Sequence, residues 1–227
     1  MAGCRRDPVV TETRGVARAV ECAAATGPDA YLPRAVLWPP DELPRILRDD
    51  YSTLLAAIDE PSLFCGNGIR SEAYRLARLE WAGVPLVVRF EPANTTGTMR
   101  VLKLEAPSWN FPPGLVIEQR TVALETAATR ELVGAIERAD LWAMPTTSRA
   151  QDTGLGEGTT WILEASRDGR YHVVSRWLPG PDSRLVALAR TIMRHAGVTE
   201  GELKGDAPGV VMRPPRPQRG DPPPPPG

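Results

Sequence analysis

Thr159-Thr160-Trp161-Ile162-Leu163-Glu164-Ala165-Ser166-Arg167-Asp168-Gly169-Arg170-Tyr171-His172-Val173-Val174-Ser175-Arg176-Trp177 is the stretch whose reading decides the fold. Thr159 to Ala165 and Arg170 to Trp177 have the composition of strands, and they flank Asp168-Gly169. That dipeptide is favoured in type I′ hairpin turns, where both central residues need positive φ. An antiparallel hairpin near the C-terminal end of the chain is the consequence.

Working outward, further strand patterns precede it. Tyr74 to Trp81 and Pro85 to Glu91 are two runs joined at Ala82-Gly83, the second β-branched and aromatic through Leu86-Val87-Val88-Arg89-Phe90. Thr95-Thr96-Gly97 reads as a turn into Met99 to Glu105, where Leu102 and Leu104 alternate with Lys103 and Glu105 as in a half-buried strand. Leu115 to Leu124 follows a proline- and aromatic-rich loop. Val116, Glu118, Arg120 and Val122 share one of its faces, and the charge at the centre of that face suggests an edge strand.

Helical spacing occupies the gaps. Ile46, Leu47, Tyr51, Leu54, Leu55 and Ile58 recur at helical intervals up to a stop at Pro61, and Ala128, Leu132, Ala135, Ile136 and Ala139 do so from Thr126. A last helix is expected from an N-cap at Asp182, through Leu185, Leu188, Ile192 and Met193, to Gly197. The fold class is therefore α+β: an antiparallel sheet of about five to six strands with two strongly amphipathic helices packed on it, in the order α-β-β-β-β-α-β-β-α. It occupies residues 46–200. Residues 1–45 read as a weak helix, Val16 to Ala25, and a proline-rich linker; residues 201–227 read as a disordered proline-rich tail.

Composition removes several classes of function. The 227 residues carry 27 basic and 28 acidic side chains without long runs of one sign, so no phosphate-binding stripe and no nucleic-acid partner is indicated. No apolar run reaches the roughly 18 residues of a membrane span. Cys4, Cys22 and Cys65 are odd in number and unevenly spaced, which fits neither a disulfide framework nor a zinc site, although one disulfide can form. Met1-Ala2-Gly3-Cys4 matches the last four positions of a bacterial lipoprotein signal without the apolar region that should precede it. A cytoplasmic start is the reading of the chain as written; lipidation at Cys4 in the envelope, with the true start codon upstream, is the alternative.

No chemical motif stands above a structural explanation, and neither a cofactor nor a metal is called for. Gly154-Leu155-Gly156-Glu157-Gly158 precedes a strand, whereas phosphate-binding glycines follow one and open a helix. His172 lies mid-strand, where a local hydrogen bond explains it better than pairing with Cys65, and His195 suits a helix C-terminus. Cys65, in the turn Cys65-Gly66-Asn67-Gly68, is the candidate reactive thiol. Glu80, Glu91, Glu118 and Glu164 read as solvated positions on sheet faces. Trp109 and Phe111, in Ser108-Trp109-Asn110-Phe111-Pro112-Pro113, form the candidate binding patch.

Several phrases, among them Glu60-Pro61-Ser62-Leu63, Ala73-Tyr74-Arg75-Leu76, Ala139-Asp140-Leu141-Trp142-Ala143-Met144-Pro145, Gly158-Thr159-Thr160-Trp161-Ile162-Leu163-Glu164 and Gly169-Arg170-Tyr171-His172-Val173-Val174-Ser175-Arg176-Trp177, resemble an uncharacterised family of small proteobacterial proteins over about Tyr51 to Val198. That resemblance implies a signal or lipoprotein leader in many members and no established activity or site. The leading expectation is a non-enzymatic binding or interaction module with a protein partner, its oligomeric state open. A thiol-dependent enzyme using Cys65 and an immunity-like protein that neutralises a toxin are the alternatives.

Overall fold

The computed structural model describes residues 44–66, 72–80, 83–105, 116–147, 158–177, 179–180, 183–199 and 201. The expected N-terminal helix and linker, the proline-rich tail, the Gly154 to Glu157 glycines, Cys4, Trp109 and Phe111 lie outside the described residues.

Helix α1 (Pro44–Ala57) is followed by strands β1 (Glu72–Glu80), β2 (Leu86–Ala93), β3 (Thr96–Leu104) and β4 (Val116–Leu124), then by helix α2 (Thr126–Ala139), strands β5 (Thr159–Arg167) and β6 (Arg170–Trp177), and helix α3 (Arg184–His195). This is the expected α+β fold. The six strands form one antiparallel sheet in the order β4-β3-β2-β1-β5-β6. β1 to β4 make a meander that ends on an edge, and the chain returns past α2 to lay β5 against the free side of β1.

The β5–β6 hairpin forms with Arg167 opposite Arg170, and Asp168 and Gly169 take φ of 51° and 72°, the signs a type I′ turn requires. The β2–β3 turn begins one residue earlier than expected and is shorter, at Asn94 and Thr95. Asn94, at φ 49°, turns the chain, and Thr96 and Gly97 already belong to β3, opposite Ala93 and Pro92. Gly97 is a glycine because a Cβ there would sit 2.8 Å from Cε2 of Phe90 and 3.2 Å from Oγ1 of Thr129. The α3 cap also moves by one residue: the Ser183 hydroxyl, rather than Asp182, accepts from the Val186 N–H at 3.2 Å.

Both faces of the sheet are covered. α2 and α3 bury Leu132, Ile136, Leu185, Leu188, Ile192 and Met193 against Leu76, Val88, Phe90, Met99, Leu163 and Val174. α1 and the turn that follows it bury Tyr51, Leu54, Leu55 and Ile58 against Ala77, Val87, Leu102, Leu104, Ile162 and Val173 on the other face. β3 is consequently not the half-buried strand expected from its alternation, since Val101, Leu102, Lys103 and Leu104 are all buried. Lys103 Nζ lies 3.0 Å from Oε2 of Glu118 there. Fully burying one large aliphatic side chain is worth about 1.5–3 kcal/mol, so the two apolar layers dominate the stability of the sheet.

Candidate functional site

On the α1 face, the strand register sets four charged residues side by side. Glu164 of β5 lies opposite Arg75 of β1, Arg75 opposite Arg89 of β2, and Arg89 opposite Arg100 of β3. Three arginines on adjacent strands repel one another. Their countercharges come from Glu164, from Glu91 and from Glu60, which follows α1. Glu60 places Oε2 3.0 Å from Arg89 Nε and 3.5 Å from Arg75 Nη1, and Oε1 2.9 Å from Arg100 Nη1. Arg89 also pairs with Glu91.

The same guanidinium groups hold the C-terminal turn of α1. Arg75 Nη1 donates to the Pro61 carbonyl at 2.7 Å, and Arg100 Nη1 and Nη2 donate to the Asp59 and Ile58 carbonyls at 2.9 and 3.4 Å. These carbonyls lie at and just beyond the helix end, where backbone acceptors lack helical partners. The positive φ of Asp59, 54°, turns the chain so that Glu60 points inward.

Glu164 is the hub. Its side chain and that of Arg75 have no solvent exposure. Oε2 accepts from Arg75 Nε at 2.7 Å and from the Tyr51 hydroxyl at 2.5 Å, and Oε1 accepts from the Tyr171 hydroxyl at 2.9 Å. Arg75 Nη2 lies 2.6 Å from Oε2, an ion-pair contact rather than a well-directed hydrogen bond. Burial, then the charge of Glu164, raises the Tyr51 and Tyr171 pKa values well above the ordinary phenol range, so both remain neutral donors. Burial acts to lower the Arg75 pKa, but the facing charges, led by Glu164, outweigh it, and the guanidinium stays protonated. A carboxylate with no exposure, holding three donors, is unsuited to exchanging protons with a substrate. The cluster is an ionic clamp between α1 and the sheet.

Glu164 is thus a correction: it was expected on a solvated face and is fully buried. Cys65 is another. It is disulfide-bonded, so the accessible thiol expected there does not exist in this structure, and its bonding partner lies outside the described residues. His172 and Cys65 are not brought together. Phe64, beside Cys65, packs edge-on to Tyr171 on the α1 face at 5.3 Å, whereas His172, the next residue along β6, faces the other layer and bonds the Met144 carbonyl through Nε2 at 2.9 Å. His195 joins Arg194 in gripping Glu131 of α2. No cluster of three or more metal-ligating side chains occurs among the described residues, and no described helix is long and apolar enough to cross a membrane.

The two sheet edges differ. On β6, the Ser175 N–H donates to the Thr146 carbonyl at 2.7 Å, and Arg176 holds the Pro145 and Thr146 carbonyls, so the segment after α2 shields that edge. No strand among the described residues pairs with the outer edge of β4. β4 also carries Val116 and Ile117, 38 % and 52 % exposed, the exposed large hydrophobic side chains among the described residues. Residues 105–115, with Trp109 and Phe111, lead directly into that end of the strand. Comparisons with family models, with curated proteins and with solved structures gave no match to this chain.

Proposed function

We propose that the domain is a non-enzymatic interaction module that receives a protein partner at the outer edge of β4, with Trp109 and Phe111, from the sequence that leads into that strand, contributing to the contact. The observation that carries this reading is the adjacency of Val116 and Ile117 on a nine-residue edge strand. Unpaired N–H and C=O groups along an edge offer main-chain hydrogen bonds to an added strand, and exposed apolar side chains give it an anchor. The buried clamp supplies rigidity to the sheet that presents this edge.

Cross-linking from position 117 tests the reading. A photoreactive amino acid replacing Ile117 in the native cells is expected to trap a protein, while the same probe at the exposed Ala187 of α3 traps none. Absence of any adduct at 117 refutes the edge as a contact surface. Changing Trp109 is expected to weaken the same adduct while leaving the fold intact.

For the compartment, the disulfide at Cys65 supports an oxidising environment and with it the envelope reading over the cytoplasmic one. We propose lipidation at Cys4. An intact mass of the protein from its own cells carries lipid on Cys4 if this holds; an unmodified Cys4 contradicts it.

A further inference from the structure

We infer that the partner at the β4 edge is a second copy of this chain, paired antiparallel to the first about a two-fold axis through Gln119. The inference rests on the edge reading above and adds the occupant and the register.

The argument is one of charge complementarity along Val116-Ile117-Glu118-Gln119-Arg120-Thr121-Val122. In an antiparallel pair related by a two-fold axis, positions equidistant from the axis face each other on the same side of the sheet. With the axis at Gln119, Glu118 faces Arg120 of the second copy and Arg120 faces its Glu118, so two opposite-charge pairs form at once. The two Gln119 amides meet each other on the α1 face, and the β-bulge at Ile117, where Glu118 is opposite Lys103 and Val116 opposite Leu104, brings Val116 and Ile117 together near Thr121 and Val122 of the second copy. Both exposed hydrophobic side chains thereby fall within the paired segment.

The neighbouring registers are unfavourable. Moving the axis by one residue sets Glu118 against Glu118 or Arg120 against Arg120, and like charges directly opposite destabilise a strand pair. Both side chains are partly exposed, Glu118 at 39 % and Arg120 at 35 %, while within the chain they hold each other at 2.8 Å and Glu118 also lies 3.0 Å from Lys103 Nζ. Arg120 is also oriented by its bonds to the Ala196 and Gly197 carbonyls at the end of α3, 2.7 and 2.8 Å. β4 has no proline or lysine, and its bulge lies at the Val116 end, outside the Glu118 to Arg120 centre of the pair.

The experiment is sedimentation equilibrium of the full chain over a wide concentration range. The wild type is expected to approach twice the 24.7 kDa chain mass. Glu118→Arg, Arg120→Glu and Ile117→Lys should each weaken dimerisation more than about tenfold, and the double swap Glu118→Arg with Arg120→Glu should recover it. Circular dichroism identifies any variant that fails to fold, and Ile117→Lys, at a half-exposed position, carries the test if the Glu118 variants, which face buried Lys103, or the Arg120 variants do fail. A wild type monomeric at every concentration overturns the inference, as does a dimer indifferent to the substitutions or a folded double swap that stays monomeric. A monomeric wild type that still gives an adduct from position 117 leaves the edge reading standing with a different partner; loss of both removes the edge altogether.

Discussion

Arg75 and Glu164 face each other across the β1–β5 ladder with no solvent exposure on either side chain, and Arg75 Nε donates to Glu164 Oε2 at 2.7 Å. Removing one member of a buried pair leaves an uncompensated charge. Arg75→Met and Glu164→Leu are each expected to cost about 3–5 kcal/mol, and the double variant less than their sum. Urea unfolding in a double-mutant cycle measures this. Additive losses would show that the two charges are stabilised independently, by Glu60 and by the tyrosines.

Glu60 answers three guanidinium groups, and its loss acts differently. In Glu60→Gln, Arg75, Arg89 and Arg100 stand in a row with less negative charge beside them, and the α1 turn is held by carbonyls alone. The variant should be destabilised most at low salt. Part of the loss should return as salt rises, because Arg89 and Arg100 are 13 % and 21 % exposed and the Debye length falls to about 3 Å at 1 M. An equal salt response in wild type and variant would show that the arginine row carries no net repulsion.

The elements were legible in the sequence because each rests on a local signal: the Asp168-Gly169 turn, the apolar stripes of α2 and α3, the mixed face of β4. The arginine row was not, because it depends on register. Placing the β2–β3 turn at Thr95 to Gly97 rather than at Asn94 moves Arg100 away from Arg89, so the two lone arginines of those strands do not meet on paper. The Arg75–Glu164 pair is further out of reach, since nothing local states that β5 returns beside β1. One signal was available. Trp161, Ile162, Leu163 and Ala165 form an apolar run interrupted by Glu164 alone, the mark of a strand covered on both faces, and a carboxylate inside such a run needs a buried partner.

His172 makes the fold sensitive to mild acid. Burial, with Arg170 and Arg176 nearby, lowers its pKa below the ordinary 6.5, and its bond to the Met144 carbonyl requires a proton on Nε2 of the neutral ring. The unfolded chain takes up the second proton first as pH falls, so stability is full above about 6.5 and is lost between there and the lower folded value. Replacing His172 with Gln should flatten the melting temperature over that interval. His195, paired with Glu131, is intact in both proteins and cancels in the comparison. An unchanged slope would assign the acid sensitivity elsewhere.

Gly97→Ala tests whether the α2 layer fits the sheet as closely as the geometry requires. The added Cβ would lie 2.8 Å from the Phe90 ring, which is stacked on Tyr74 at a centroid distance of 6.1 Å and packed into the apolar layer, so it has little room to withdraw. The strand φ at this glycine needs no positive value, so strain does not enter, and the cost is steric, about 1–3 kcal/mol. Phe90→Leu alone leaves a void, but combined with Gly97→Ala it should lose less than the two single changes together, because the methyl group occupies space the ring vacated. Thermal unfolding of the four proteins measures the coupling. A neutral Gly97→Ala would show that α2 yields at Thr129 instead, and that the helix layer is looser than the 3.2 Å approach of that hydroxyl implies.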